Sequence, residues 1–223
     1  MRGSTLSKRR KTNYSNNPKN NFPQLKFKTK TQKTAWNLFN QVDVLFMLGP
    51  AGVGKTFLAM AMAIKQIDNE LANKIFLTRP IIESEESLGY LPGDIKEKTN
   101  PYMAPLYDQI EALKDKQAKE FTSNHIRLAP IAYMRGRTFN QSICIFDEAQ
   151  NATTKQLKLL LSRIGTESKI IVTGDPDQVD IRDSGLMDVV DRLDGLDRVG
   201  IIEFDTTEIV RHPVVEQILN RLA

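Results

Sequence analysis

One stretch of eight residues constrains the fold of this 223-residue chain more than any other. Residues Gly49–Thr56 read G-P-A-G-V-G-K-T and fit the pattern G-x-x-x-x-G-K-[S/T] at every fixed position. A short apolar run, Val44–Leu48, precedes the glycines, and an Ala-, Met- and Leu-rich segment, residues 57–67, follows them. The apolar run is typical of a buried parallel strand, and the later segment is typical of a helix. This order of elements predicts an α/β fold with a parallel sheet.

The pattern has a physical basis in phosphate binding. Its glycines adopt backbone conformations that other residues resist, so the chain can wrap around a phosphate group. The N–H groups of the loop and of the helix N-terminus then point at the anion. We expect Lys55 to contact the β- and γ-phosphates of a nucleoside triphosphate, and the Thr56 hydroxyl to bind Mg²⁺. The predicted nucleotide-binding residues of this phosphate loop are Gly49, Pro50, Ala51, Gly52, Val53, Gly54, Lys55 and Thr56. The alternative is a glycine turn that only joins strand to helix, which the complete motif in this context disfavours.

Further apolar runs predict the rest of the sheet. Strands are expected at residues 44–48, 74–78, 126–129, 142–146, 169–173 and 199–204, with a short edge strand at 22–27. Helices are expected at residues 31–40, 57–67, 103–119, 154–164 and 214–222. Strands that alternate with helices predict a mostly parallel, doubly wound sheet with helices on both faces.

Two adjacent acids, Asp147 and Glu148, follow the predicted strand 142–146. The carboxyl ends of parallel strands face the ligand crevice of such a sheet. Asp147 is therefore a candidate Mg²⁺ ligand, and Glu148 is a candidate base for an attacking water. The alternative is a plain helix N-cap region. A kinase activates the hydroxyl of its acceptor, whereas a hydrolase needs a base beside the attacking water. The Asp-Glu pair therefore favours hydrolysis.

A third polar segment, Thr173–Gln178, follows the predicted strand 169–173. The Gln178 amide can donate to a γ-phosphate oxygen and accept from water, so it could sense hydrolysis. An ordinary β-turn explains Gly-Asp-Pro-Asp equally well, and the residues alone leave both interpretations open.

Taken together, these segments resemble the core domain of superfamily 1 helicases. Five further blocks resemble the PhoH-like ATPase family in its order, at residues 77–80 (L-T-R-P), 89–94 (G-Y-L-P-G-D), 129–138, 147–151 (D-E-A-Q-N) and 210–213 (V-R-H-P). The resemblance covers about residues 30–222. It implies a RecA-like P-loop NTPase domain that binds ATP and Mg²⁺.

The resemblance also implies partners and two further site residues. It implies a link to RNA or single-stranded nucleic acid, and a homo-oligomer such as a hexameric ring. By the same resemblance, Gln32 would read the adenine edge and Arg211 would be an arginine finger or γ-phosphate sensor. Only 50 residues follow Thr173, too few for a helicase's second RecA-like domain. We therefore expect neighbouring subunits to supply any moving partner. The predicted function is an ATPase coupled to single-stranded RNA or DNA; the alternative is a nucleotide-gated RNA-binding or regulatory subunit with little turnover.

Charge is unevenly placed along the chain. Residues 1–33 hold ten Lys and Arg and no acid, whereas the remaining residues hold 21 basic and 27 acidic side chains. Residues 1–24 are poor in large apolar residues, so we expect a disordered tail ahead of an ATPase domain at residues 25–223. The tail is either an arm that grips nucleic-acid phosphates or a solubilising tail, whose first four residues resemble an expression leader.

Composition excludes several classes of protein. One cysteine, Cys144, and two histidines exclude a disulfide framework and make a multi-Cys zinc site or a His-rich metal centre untenable. No apolar run approaches the length of a membrane span, and the basic N-terminus lacks the apolar core of a secretory signal. We therefore expect a cytoplasmic protein. Arg79, Arg135 and Arg137 are candidates for contacts to phosphates of nucleic acid or of a neighbour's ATP, with surface ion pairs as the alternative.

Overall fold

The computed structural model describes residues 25–80, 106–128, 130–210 and 221. Its strands are β1 Val44–Leu48, β2 Lys74–Thr78, β3 Ile126–Leu128, β4 Ser142–Phe146, β5 Lys169–Gly174 and β6 Val199–Glu203. Its helices are α1 Lys30–Phe39, α2 Lys55–Asp68, α3 Ala118–His125, α4 Thr154–Leu161 and α5 Leu186–Leu193. Residues 106–114 are also helical.

The six strands form one sheet in the order β3-β2-β4-β5-β1-β6, and every pair is parallel. Strand β5 lies between β1 and β4, with Leu48 opposite Gly174 and Phe146 opposite Val172. The carboxyl ends of these three strands therefore meet at one edge of the sheet. The phosphate loop, the Asp-Glu pair and the Thr173–Gln178 segment each begin at this edge.

Helices cover both faces of the sheet, which explains the continuous apolar runs. All five residues of β1 and all five of β4 are buried. On one face, Leu45 and Met47 pack in a core with α1 and α2. On the other face, Phe46 packs in a second core with α4 and α5. A strand buried on both sides needs apolar residues at every position, so the alternation of a half-exposed strand is missing.

The doubly wound, parallel sheet predicted from sequence is confirmed, with local differences. The predicted edge strand at 22–27 is wrong for residues 25–27, which form no strand; residues 22–24 lie outside the described residues. Phe27 instead packs edge-on against Trp36 of α1, with ring centroids 5.6 Å apart. This aromatic contact holds the segment on the helix instead of along the sheet edge.

The helical predictions also change. The helix expected at 103–119 is interrupted: residues 106–114 are helical, Asp115–Gln117 form a 3-10 turn, and α3 begins at Ala118. Residues 103–105 lie outside the described residues. The helix expected at 154–164 ends at Leu161, and residues 162–163 form a turn. Helix α5 was not predicted, although Leu186, Val189, Val190 and Leu193 follow helical spacing. The helix expected at 214–222 lies outside the described residues except for residue 221, and so does the tail at 1–24. Within the part of the chain that is described, no helix is long and apolar enough to cross a membrane.

Candidate nucleotide-binding site

Three glycines shape the phosphate loop between β1 and α2. Gly49, Gly52 and Gly54 have φ angles of 134°, 93° and 86°, in the left-handed region that disfavours side chains. A Cβ atom on Gly49 would also lie 2.5 Å from the backbone oxygen of Phe204. Gly49 is therefore required both by its backbone conformation and by the close approach of the segment after β6.

Lys55 is the first residue of α2 and lies against the phosphate loop. Its ammonium donates to the carbonyl oxygens of Gly49 and Pro50, at 2.5 and 2.9 Å, and the residue is largely buried. No side chain caps the N-terminus of α2. The ammonium and the uncapped N–H groups of the helix together make this end of α2 electropositive, as an anion site requires.

Asp147 follows β4 and accepts hydrogen bonds on both carboxylate oxygens. Its Oδ1 accepts from the hydroxyls of Thr56, at 2.9 Å, and Thr173, at 2.5 Å. Its Oδ2 accepts from the Arg79 guanidinium at 2.6 Å. Asp147 is only 2% exposed, and burial of an unpaired charge is costly. The three hydrogen-bond donors offset this cost. The donors come from α2, β5 and the end of β2, so Asp147 ties four elements together.

Glu148 stands beside Asp147 in a strained conformation. Its φ angle of 56° is left-handed and uncommon for a residue with a side chain. Its Oε2 accepts from the Gln150 amide at 2.7 Å, and its Oε1 lies 3.5 Å from the Arg79 guanidinium. The side chain is 44% exposed, so the carboxylate faces the open cleft while two neighbours restrain it.

The turn after β5 connects this acidic pair to the phosphate loop. Asp175 accepts from the Ala51 N–H through Oδ2, at 3.0 Å. Its own N–H donates to Gln150 Oε1, also at 3.0 Å, and its carbonyl oxygen accepts from the Gln178 N–H at 3.1 Å. A chain of hydrogen bonds therefore runs from Glu148 through Gln150 and Asp175 to Ala51.

A cleft of about 410 Å³ holds most of the residues predicted for the site. It is lined by Ala51, Gly52, Gly54, Lys55, Thr56, Phe57, Arg79, Gln109, Asp147, Glu148, Gly174, Asp175 and Gln178. Gly49, Pro50 and Val53 are not among the lining residues; Val53 is fully buried. A larger cavity of about 1010 Å³ lies at the opposite edge of the sheet, around Asp43 and Lys169, and holds none of the predicted residues.

Sequence reasoning missed the roles of Arg79, Gln150 and Asp175 as supports. Gln150 is buried and lies two residues after Glu148, and Asp175 lies in a segment whose residues suit an ordinary turn. The signal that the sequence offered for both was a polar side chain shortly after the carboxyl end of a predicted strand, beside candidate site residues. Arg79 was predicted to contact phosphate or to form a surface ion pair; its pairs with Asp147 and Glu148 instead lie inside the cleft.

Gln32 lies against the phosphate loop. Its Nε2 donates to the Val53 carbonyl oxygen at 3.0 Å, and its Oε1 accepts from the Lys28 N–H at 2.8 Å. Through these two hydrogen bonds, Gln32 connects the segment at the start of α1 to the phosphate loop. Its reading of an adenine edge remains a prediction. Arg211 lies outside the described residues; the chain just before it reaches the loop, where the Val210 N–H donates to Gly52 O at 3.0 Å.

Acidic residues fix the segment that leads from β6 to Val210. Burial raises the pKa of Glu208, but hydrogen bonds from Thr31, Thr29 and the Asp205 backbone outweigh it, so the pKa lies below its ordinary value. The pKa of Asp205 is also lowered, chiefly by hydrogen bonds from Thr207. Both carboxylates therefore favour their charged form, and Glu208 is hydrogen-bonded to residues at the start of α1.

The residues of the cleft fit a bound Mg²⁺ that shares its ligands with a nucleotide. No group of three or more His, Cys, Asp or Glu side chains that could hold a metal occurs among the described residues. Asp147 and the Thr56 hydroxyl supply two hard oxygen donors at 2.9 Å from each other. Mg²⁺ usually takes one or two carboxylates and completes its shell with phosphates and water, so this sparse donor set is adequate.

Comparison with known proteins places the chain in a family. The model of the PhoH-like protein family matches residues 24–223. A PhoH-like protein of Bacillus subtilis is 44% identical over 200 residues, which are 87% of this chain and 63% of the relative. Protein PhoH of Escherichia coli is 37% identical over 185 residues, covering 80% of this chain and 52% of the relative. The chain thus spans less than two thirds of the length of these curated relatives.

Solved structures give the fold. The large terminase of a thermophilic bacteriophage superposes with a TM-score of 0.57 and 13% identity, over 87% of this chain and 50% of the terminase. The same terminase has been solved in complex with ADP, with the same TM-score. At this identity the likeness concerns the fold alone, that of a RecA-like P-loop NTPase domain. The extent of the family match and the identity to its members together show that this chain belongs to the PhoH-like protein family.

Proposed function

We propose that this chain is a Mg²⁺-dependent ATPase whose hydrolysis is coupled to single-stranded RNA or DNA. One observation carries the ATPase proposal: Lys55, Thr56, Asp147, Glu148 and Gln178 line a single cleft at the carboxyl edge of the sheet. The combination supplies an anion site, oxygen ligands for Mg²⁺ and a carboxylate that faces the same space. Membership of the PhoH-like family and the P-loop NTPase fold support the same conclusion.

Each residue has a role in this proposal. Lys55 and the N–H groups of the phosphate loop bind the β- and γ-phosphates, and Thr56 and Asp147 hold Mg²⁺. When bound, Mg²⁺ neutralises charge on the phosphate oxygens. Glu148 accepts a proton from the attacking water on a carboxylate oxygen, and Gln178 orients that water against the γ-phosphate. The water oxygen bonds to the γ-phosphorus as the bond to the ADP oxygen breaks, which gives ADP and inorganic phosphate. Arg211 would stabilise charge in the transition state, in its own subunit or a neighbouring one.

The coupling to nucleic acid rests on charge. Ten basic residues and no acidic ones lie in the first 33 residues, as expected for a segment that displaces counterions from a phosphate backbone. The family match begins at residue 24, which supports a boundary between a tail at 1–24 and a domain at 25–223. We also propose a homo-oligomer, with a hexameric ring as one form. Its mass by light scattering, with and without ATP, tests this, and a strict monomer in both would contradict it.

A switch with little turnover is the second candidate. The observation that favours it is the restraint of Glu148 by Arg79 and Gln150, which engages both carboxylate oxygens. Such a protein would bind ATP in the same cleft and change its affinity for RNA without rapid hydrolysis.

Phosphate release separates the two candidates. The assay contains ATP and Mg²⁺, with and without single-stranded RNA or DNA. The blank is Lys55→Ala, and Glu148→Gln tests the proposed base. We expect release above the blank, stimulation by one polymer and loss of turnover in Glu148→Gln. ATP binding without release above the blank would favour the switch, and a fully active Glu148→Gln would refute the assignment of the base.

A further inference from the structure

We propose that Arg79 exchanges partners when ATP binds: Mg²⁺ displaces its guanidinium from Asp147, and the guanidinium then binds the γ-phosphate. This inference rests on the proposed function and adds a residue that distinguishes ATP from ADP. From the sequence, Arg79 is a candidate only for contacts to phosphates of nucleic acid or of a neighbour's ATP; the proposed contact is to the γ-phosphate in its own cleft, and it depends on the pair with Asp147.

The first step of the argument is competition for one carboxylate. The Arg79 guanidinium donates to Asp147 Oδ2 at 2.6 Å, while Oδ1 already accepts from the hydroxyls of Thr56 and Thr173. Asp147 is also the carboxylate proposed to hold Mg²⁺. A divalent cation and a guanidinium on the same buried carboxylate repel each other strongly, because a partly buried site screens charge poorly. Binding of the metal therefore weakens the Arg79 ion pair.

The second step is the position of the arginine within the cleft. Arg79 follows directly after β2, whose Thr78 carbonyl accepts from the Asp147 N–H at 3.0 Å. Its side chain is 18% exposed and lines the nucleotide cleft together with Lys55 and Thr56. It also lines the adjoining cleft around Asn151 and Asp180, so it borders open space on two sides.

The third step is the choice of a new partner. The cleft carries the carboxylates of Asp147, Glu148 and Asp175 and the cations of Lys55 and Arg79. The adjoining cleft is lined by further acids, which would repel a nucleic-acid phosphate. The anion that ATP brings to this side of Lys55 and Thr56 is the γ-phosphate. A planar guanidinium can bind two phosphate oxygens at once, so an arginine suits this contact better than a lysine.

The exchange has a consequence for Glu148. Its Oε1 lies 3.5 Å from the same guanidinium, so movement of Arg79 to the phosphate releases one restraint on the proposed base. ADP lacks the γ-phosphate and leaves Arg79 on the carboxylates. The arginine would thus restrain the base with ADP and free it with ATP.

Nucleotide affinity tests the γ-phosphate contact without requiring turnover. Dissociation constants are measured by titration calorimetry for Mg²⁺ with a non-hydrolysable ATP analogue and for Mg²⁺ with ADP. The variants are Arg79→Gln, which can still donate a hydrogen bond to Asp147, and Arg79→Lys, which keeps the charge. The matched control is Arg192→Ala, because Arg192 forms an exposed pair with Asp188 on α5. We expect Arg79→Gln to lose roughly tenfold in affinity for the analogue but less than twofold for ADP. Arg79→Lys should be intermediate, and Arg192→Ala should match the wild type.

Metal binding tests the competition. Mn²⁺, as a spectroscopic probe for the Mg²⁺ site, is titrated into the nucleotide-free protein. We expect Arg79→Gln to bind Mn²⁺ several-fold more tightly than the wild type, because the charged competitor for Asp147 is gone. Equal or weaker Mn²⁺ binding would overturn the competition, and an equal loss of affinity for the analogue and ADP would overturn the γ-phosphate contact. Urea unfolding of each variant verifies that it is folded; if Arg79→Gln is not, Arg79→Ala, which also removes the charge, carries both tests.

The outcomes separate this inference from the proposed function. If the wild type and Lys55→Ala bind the analogue alike, the nucleotide site itself is wrong and both proposals fall. If binding depends on Lys55 but Arg79→Gln keeps the wild-type preference for the analogue over ADP, the inference about Arg79 alone falls.

Discussion

Replacing Gln150 by methionine should lower the free energy of unfolding by about 2 kcal/mol. It should also lower kcat for the proposed hydrolysis of ATP, measured as phosphate release. Gln150 is 2% exposed and is a hydrogen-bonded link between Glu148 and Asp175. Methionine has a similar size and is apolar, so the change removes both hydrogen bonds without opening a large cavity. The perturbation therefore isolates the contribution of the amide.

The size of this destabilisation depends on whether water can replace the Gln150 amide at Asp175 and at Glu148. Asp175 is 4% exposed, so its N–H is left without the Gln150 acceptor, at a cost of roughly 1–3 kcal/mol. Glu148 is 44% exposed, so water replaces the lost amide and the loss is at most about 1 kcal/mol. The apolar side chain of methionine offsets part of the sum. Because Glu148 loses a restraint on its orientation, we expect kcat to fall roughly tenfold or more.

Urea unfolding provides the assay, with Gln141→Met as the matched control. The Gln141 amide also donates to a carboxylate, Glu167, and accepts from an amide, Asn73, but both bonds are exposed. Water can replace them, so the control should lose less than about 1 kcal/mol. With a slope of about 2 kcal/mol per molar urea, the Gln150 variant should unfold at roughly 1 M lower urea than the wild type. Equal stability of the two variants would refute the reasoning.

Three further predictions concern the stability of two glycine variants, the accessibility of the Cys144 thiol and the effect of low pH on the segment around Glu208. Gly49→Ala should lose more than about 2 kcal/mol, because its Cβ atom would lie 2.5 Å from a backbone oxygen at a φ of 134°. Gly195→Ala has a φ of 77° but open space, so it should lose about 1 kcal/mol; equal losses in urea unfolding would contradict this. Cys144 is fully buried, and burial raises its thiol pKa, so Ellman's reagent should label it only after unfolding; rapid labelling of the native protein would show otherwise. The lowered pKa of Glu208 means that its stabilising effect is present above the unfolded value near 4.5 and is lost as the pH falls through the folded value. Hydrogen-exchange protection of residues 205–210 should therefore fall in acid, and Glu208→Gln should remove that pH dependence.

The elements that sequence could predict are those whose signal is local. β1 and β4 are buried on both faces, so an uninterrupted apolar run marks each of them. The phosphate loop is likewise local, because its glycines, lysine and threonine are consecutive. Helix α5 also carried a local signal, in the helical spacing of its four apolar residues, and could have been predicted.

What sequence could not predict depends on which strands are neighbours. Apolar runs predict where strands occur along the chain but not their spatial order in the sheet. The position of β5 between β1 and β4 could therefore not be predicted from them. The pairing of Arg79 with Asp147 depends on the contact between β2 and β4, two strands separated by a long stretch of chain. The predicted edge strand failed for a related reason: its alternating pattern was genuine, but a ring contact to Trp36 determines where Phe27 lies.

The strand order also affects how the chain folds as it is made. β1 pairs with β5 and β6, so Val44 meets Ile170 and Val199, which are synthesised much later. At a translation rate of 5–20 residues per second, β5, the first sheet partner of β1, is synthesised roughly 6–25 s after β1. During that interval, five consecutive apolar residues beside the phosphate loop have no strand to pair with. A ribosome-bound chain that ends before residue 169 should therefore expose an unpaired edge, which makes β1 a segment that chaperones would protect.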